Sequence, residues 1–346
     1  MTALKPDRQP TMRAVVCDKA GSYRDTRIGI VPRPSMCANG VRIAVHAASV
    51  SFSIALMIEG KYQRKFPLPF IPGTEVTGTV IEVAPGVTAT KPGDRVLAMC
   101  DWGGYSEEVV TPYYTVYPLP PGIDLNVAAH LGMSYGTSYG GLFWRAGLKQ
   151  GDTLLVLGAA GGVGLAAVEL GRVAGATVIA AAGSAAKCAL VRAHGAHHTI
   201  DTSRDDLREV VNRVTGGGGL DIVLDPVGGD LSETALRLLN MDGRLVLIGF
   251  ATGRMPQVPA NIVLVKNLSV IGYNHGAYMG WSPGDGRDRL EPKTRAMYEE
   301  IFAWTVEGKL RPLTSAVYAL EQFPEAMDFL ISRQSTGKVV LQVAAS

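Results

Sequence analysis

The sequence predicts an α/β protein of two domains, a β-rich, barrel-like unit followed by a doubly wound parallel sheet of six strands. Three observations carry this. From about Asn126 onward apolar strand patterns alternate with helical patterns at βαβ spacing, whereas before it short β-branched runs are separated by Gly and Pro. The stretch TLLVLGAAGGVGLAAVELGRVAGATVIAAA, residues 153–182, reads as strand, glycine turn, helix and strand. At 346 residues the chain exceeds what one core buries well, about 250 to 300 residues. The 41 glycines and the mean hydropathy of +0.15 suit buried parallel strands joined by tight turns.

In chain order, MRAVVCD, GVRIAVHAASV, TGTVIEVA and DRVLAM supply strands of the first unit, which runs to residue 125. The second unit, 126–273, has its strands at 153–158, 177–182, 197–201, 221–227, 245–250 and 268–273. Residues 216–219, all glycine, read as a loop and not as a phosphate site. Beyond 273 come the polar stretch SPGDGRD, a helix near 293–306 and a strand at 337–343. Neither of these makes a core alone, so 274–346 is expected to return to the first domain.

Composition narrows the function. Charged residues are 18% and the formal net charge is +2, which selects neither nucleic acid nor an anionic membrane and leaves a small molecule as the partner. The opening MTALKPDRQP has no apolar core, and the most apolar stretch, 153–170, is interrupted by glycines, so neither export nor membrane spanning is expected. Cys17, Cys37, Cys100 and Cys188 are widely spaced with no CxxC, which fits a reducing cytoplasm. His194, His197 and His198 lack a nearby Cys or acid in sequence and read as solvated rather than metal-binding.

The glycine turn is the strongest motif because it sits between a strand and a helix. As A-x-G-x-x-G, Ala159 takes the tight-turn position, Gly161 lets backbone N–H groups approach a pyrophosphate, and Gly164 permits close helix–strand packing. NAD sites place an acid at the end of the second strand, but this strand ends Ala180-Ala181-Ala182-Gly183-Ser184. Lys187 falls in the first turn of the next helix, where its charge opposes the helix dipole unless an anion is present. A 2′-phosphate would be that anion, and the expected cofactor is NADPH, with Ser184 both capping the helix and donating to the phosphate.

The ordered set PLPFIPGTEVTGTV, KPGDRV, GGYSEEVV, GTSYGGLFWRAGLKQGDTLLVLGAAGGVG and TGKVVL spans nearly the whole chain. It resembles the quinone oxidoreductases, the zinc-independent branch of the medium-chain dehydrogenase/reductase superfamily. The resemblance implies a GroES-like catalytic domain wrapped around a Rossmann domain, with the nicotinamide in the cleft between them. It places Thr137 against the nicotinamide and Ala160, Gly161, Gly162 and Val163 on the pyrophosphate. Ser184 and Lys187 fall on the 2′-phosphate, Gly249 and Phe250 beside the nicotinamide ribose, and Lys338 near the cofactor. Thr202 stands where the family often has a Tyr on the adenosine phosphate, with Arg204 close enough in sequence to compensate.

Zinc-dependent relatives carry a His after the glycine of IPG, an early Cys, and a four-cysteine lobe before GGY. This chain has Thr74, no Cys near Ser51, and only Cys100, so no metal site is expected. Many members read V-N-F-x-D where this chain has Val50-Ser51-Phe52-Ser53-Ile54, which implies a more apolar pocket. Tyr62 matches a cleft-lining tyrosine, and Tyr62 and Ser51 are the candidate substrate-lining hydroxyls.

Without a Lewis acid, acceptors that already delocalise charge are favoured, so the expected reaction is hydride transfer to a quinone or an α,β-unsaturated carbonyl. An enoyl-thioester or enone reductase is the enzymatic alternative. A cofactor-binding structural or RNA-associated protein is the alternative of another class, although no basic patch interleaved with aromatics supports it. The apolar last strand, 268–273, is expected to close an exposed edge by pairing in a homodimer.

Overall fold

The computed structural model describes residues 10–343 and divides into two units. The first gathers the chain to Ala129, Met279–Glu291 and the chain from Thr314. The second holds His130–Tyr278 and Pro292–Leu313.

The first unit is built on a seven-stranded sheet. Its path runs Thr314–Ala319, Lys338–Gln342, Gly40–Val50, Glu75–Val83, Arg95–Met99 and Val116–Pro118, with Glu108–Pro112 also pairing on Gly40–Val50. The C-terminal strand lies antiparallel to Gly40–Val50, Val339 opposite Val50 and Leu341 opposite Ala48. Val339, Val340 and Leu341 are fully buried there, which is why the last apolar run of the sequence completes the first unit. Ile43, Val45, Ile54, Tyr105 and Phe323 share its core.

The second unit is a parallel sheet of six strands in the order His198–Asp201, Thr177–Ala182, Thr153–Val156, Leu220–Asp225, Leu239–Leu247 and Ser269–Gly272. Leu155, Ile179, Ile200, Val223 and Leu245 form its buried seam. The fourth strand stops at Asp225, short of the expected 227, because the Asp225 carboxylate takes the N–H groups of Val227 and Gly228 at 2.8 and 2.9 Å and Pro226 has no N–H to give. Among the described residues no helix is long and apolar enough to cross a membrane.

Two expectations are corrected. The segment Pro292–Leu313 groups with the second unit, not with the first. Most of the helix Arg287–Val306 lies in it, and its Tyr298, Ile301 and Phe302 are buried, with the Tyr298 hydroxyl donating to the Gly132 carbonyl at 3.0 Å. The histidines, in turn, are not all solvated. His194 is buried with Nδ1 2.6 Å from Oε1 of Glu169, whereas His197 is exposed as expected, its Nδ1 accepting from the Val178 N–H at 3.0 Å. The acid that sequence proximity did not show comes from 25 residues upstream.

Glu169 is the hub of this arrangement. It is fully buried on the helix Gly162–Val173 and also accepts from the Tyr135 hydroxyl at 2.7 Å and the Arg311 N–H at 2.9 Å. One carboxylate thus ties four segments of the unit together, and removing it orphans donors that cost about 1 to 3 kcal/mol each. Glu169→Leu is expected to lower the stability of the second unit by about 3 kcal/mol or more in urea unfolding. A loss under about 1 kcal/mol would show that these donors find other partners.

Candidate functional site

Strand order in the parallel sheet reverses between Thr153–Val156 and Leu220–Asp225, and ligands of such sheets bind at the carboxyl ends beside that switch. The glycine turn leaves the strand Thr153–Val156 at this point. The tight-turn conformation sits on Gly158, with φ +59°, and not on Ala159 as the sequence reading had it. Ala159 is buried and donates its N–H to the Ala181 carbonyl at 2.9 Å, so it extends the sheet pairing instead of turning. A Cβ on Gly164 would lie 2.3 Å from the Gly158 carbonyl oxygen and 2.7 Å from the Ala159 Cα, so only glycine lets the helix come this close. Gly161 caps the helix in extended conformation and is exposed, and Ala160 is buried beneath it. The first N–H groups of the helix, those of Gly162 and Val163 among them, have no acceptor within the helix, so this end offers the donors and the positive dipole end that an anion favours.

The second strand ends in buried alanines, and a Cβ on Gly183 would meet nothing within 4 Å. Ser184 caps the helix Ala185–Ala193, its Oγ accepting the Lys187 N–H at 3.3 Å. That contact uses an oxygen lone pair and leaves the hydroxyl proton available to a ligand. Lys187 stands in the first turn, half-buried. Thr202 Oγ1 donates to the Ala182 carbonyl at 3.3 Å, so this side chain braces the end of the second strand. Arg204 is committed to Asp201 at 3.3 Å and Asp205 at 3.7 Å. Gly249 and Phe250 follow the fifth strand, which ends at Leu247, and Phe250 is exposed.

Thr137 lies on a helix over 131–145 that winds in wide π turns, Leu131–Tyr135 and Gly140–Arg145, around one α turn, Gly136–Tyr139. Such turns are uncommon and concentrate at functional sites. The neighbouring Ser138 donates its Oγ to the Val163 carbonyl at 2.7 Å and thereby fastens this helix to the first turn of the helix Gly162–Val173. Ser138 and Asp225 were not singled out in the sequence. The signal for Asp225 was the run Asp225-Pro226-Val227-Gly228-Gly229, an acid before a proline and two glycines at a strand end.

The remaining candidates belong to the first unit. Ser51 precedes the helix Phe52–Ile58, and its Oγ lies 2.9 Å from Ser53 Oγ without capping the helix. Tyr62 packs its ring on the core of this unit, and burial pushes its pKa up, so the hydroxyl keeps its proton. Lys338 is only 7% exposed and sits 3.5 Å from Glu75, the buried residue after Thr74, which also accepts from Ser49 Oγ. Cys100 donates its thiol to the Gly73 carbonyl at 3.5 Å, and burial pushes its pKa up. No group of three or more His, Cys, Asp or Glu side chains able to hold a metal occurs among the described residues.

Comparison with known proteins follows this division. Residues 38–121 match the alcohol dehydrogenase GroES-like domain, and residues 162–284 match the family described as zinc-binding dehydrogenase. A quinone oxidoreductase-like protein 2 homolog of Nematostella vectensis is 38% identical over 339 residues, 97% of this chain and 90% of that protein. The chain belongs to the quinone oxidoreductase family. It is thus a quinone oxidoreductase-like member of the medium-chain dehydrogenase/reductase oxidoreductases, with the GroES-like domain first and the Rossmann sheet second. Quinone oxidoreductase-like protein 2 of Bos taurus is also 38% identical, over 91% of this chain and 88% of that one. Escherichia coli quinone oxidoreductase, solved in complex with NADPH, superposes with a TM-score of 0.85 at 26% identity, over 96% of this chain and 99% of that one.

Within this family fold the close approach at Gly164 has a direct test. Gly164→Ala is expected to cost about 1 to 3 kcal/mol in urea unfolding, because its methyl meets backbone and cannot be accommodated by a side-chain shift. Gly183→Ala, with open space around it, should stay within about 0.5 kcal/mol of the parent. Equal effects at the two positions would contradict the packing described.

Proposed function

We propose that this chain is a zinc-independent, NADPH-dependent oxidoreductase that passes hydride to a quinone or another α,β-unsaturated carbonyl acceptor, working in the cytoplasm as a homodimer. The observation that carries the reading is the glycine turn at the switch point beside a second strand that ends without an acid, in Ser184 with Lys187 one turn on. A quinone oxidoreductase of the same fold was solved with NADPH, which supports the choice of nicotinamide cofactor.

The residues present fit that group. The open helix start at Gly161 to Val163 would hold the pyrophosphate, and the open space at Gly183 leaves the 2′-position within reach of Ser184 and Lys187. When bound, NADPH supplies the hydride. Thr137 on the 131–145 helix would orient the nicotinamide, Gly249 and Phe250 would border its ribose, and Thr202 would act through the Ala182 carbonyl that it braces. By family resemblance Lys338, buried beside Glu75, is the first-unit residue assigned to the cofactor. Hydride addition leaves an enolate-like or phenolate-like oxygen. Tyr62, whose hydroxyl stays protonated, and Ser51 are the groups to hydrogen-bond it, with the final proton coming from one of them or from solvent.

Thr74 and the lone Cys100 occupy places where zinc-dependent relatives keep ligands, which supports acceptors that need no Lewis acid. The homodimer is supported by the edge strand Ser269–Gly272 and by Leu264 and Val265, 77% and 73% exposed just before it.

NADPH oxidation measured side by side against quinones, enones and enoyl thioesters tests the reaction, and no turnover with any of them would overturn it. For the cofactor, Lys187→Ala is expected to weaken NADPH roughly 10- to 150-fold, since a charge-assisted contact contributes about 1.5 to 3 kcal/mol, and to leave NADH unchanged. Loss of both cofactors alike, or a wild type that prefers NADH, would contradict the phosphate assignment.

A further inference from the structure

In the second unit three polar aromatic side chains form one buried hydrogen-bonded chain. Tyr273 and His275 follow the last strand of the sheet, and Tyr298 comes from the helix Arg287–Val306. The Tyr273 hydroxyl lies 3.0 Å from His275 Nδ1, and His275 Nε2 lies 2.8 Å from the Tyr298 hydroxyl, which donates to the Gly132 carbonyl at 3.0 Å. A phenol has one proton to give. Because Tyr298 gives it to Gly132, its oxygen accepts from Nε2–H, and Nδ1 is left to accept from Tyr273. With its proton on Nε2, the imidazole completes all three bonds. A neutral imidazole is required, and burial pushes the His275 pKa down to about 3.

The chain of rings bears on one stripe of the 131–145 helix. Gly132 takes the Tyr298 proton, and Gly136 and Gly140 recur at the same spacing. A Cβ on Gly136 would lie 2.6 Å from His275 Nε2 and 2.7 Å from the Tyr298 oxygen, and one on Gly140 would lie 1.9 Å from the Tyr273 oxygen. Backbone and ring oxygens are in direct contact, so the helix cannot settle deeper, and the hydrogen bond to Gly132 keeps it from lifting. Packing alone would need only phenylalanine or leucine at these positions. A fully satisfied polar chain instead specifies one depth and one rotation. The part specified is the α turn Gly136–Tyr139 between the two π turns, and Thr137 stands on it.

We propose that Tyr273, His275 and Tyr298 are positioning residues for hydride transfer, holding the 131–145 helix at the depth that sets Thr137 against the nicotinamide. This rests on the cofactor reading above. Their contacts to Gly132, Gly136 and Gly140 bear on the helix that carries Thr137, so they govern the reacting end of the cofactor more than its affinity.

The test uses full-length His275→Phe, which keeps a ring and removes both of its hydrogen bonds, and Gly136→Ala, which leaves the three rings intact and pushes the helix off them. Each is measured for NADPH dissociation constant, for kcat with the best acceptor of the panel, and for the primary isotope effect with NADPH deuterated at the transferring position. In both, kcat should fall about 10- to 100-fold, as expected for a small misplacement of reacting atoms. The NADPH dissociation constant should stay within about 3-fold, and the isotope effect should rise as hydride transfer becomes limiting. Where His275→Phe does not fold, Gly136→Ala and the milder Tyr273→Phe decide. A folded variant with wild-type kcat and isotope effect overturns the proposal, as does a loss confined to NADPH affinity. A wild type that binds NADPH and reduces no acceptor would instead overturn the functional reading itself.

Discussion

In a strand, glycine turn and helix unit, close packing of the helix on its strand fixes where the first N–H groups of the helix point. Here that approach depends on Gly164, where even a methyl group would fall 2.3 Å from the Gly158 carbonyl. The same helix carries Glu169, whose carboxylate gathers Tyr135, His194 and Arg311. It also receives Ser138 from the 131–145 helix at Val163. The close approach at one glycine therefore locates the anion site, the hub of the unit and the helix that bears Thr137.

Most of this organisation was legible in the sequence because it follows from backbone chemistry. The six strands, the glycine turn and the acid-free end of the second strand are read from periodicity and from where glycine and acidic residues fall. What was not legible depends on contacts between distant segments. Ala159 looked like the turn residue because the fingerprint was aligned on it, but the positive φ belongs to Gly158, and Ala159 keeps its N–H in the sheet. The helix of Pro292–Leu313 has no sequence mark that says which core buries it, and Tyr298 and Phe302 settle that only in three dimensions. His194 read as solvated for want of an acid, and Glu169 supplies one across the fold.

At the candidate site the division is similar. The cap at Ser184 and the place of Lys187 in the first turn of the helix were readable because helix-capping rules are local. Thr202 was read as a ligand contact and is found bracing the Ala182 carbonyl, while Lys338 is paired with Glu75. In the function proposed, orientation and hydrogen bonding of a developing oxyanion are the chemistry asked of the site, and the placement of the helix bearing Thr137 is one part of that orientation.

The most direct measurement is amide hydrogen exchange of the wild-type protein with saturating NADPH or NADH. Both cofactors should slow exchange at the start of the glycine helix, residues 162–164, and NADPH alone should slow it at 185–187, where the 2′-phosphate meets the helix capped by Ser184. Protection by NADPH that omits either segment, or equal protection of 185–187 by NADH, would contradict the account.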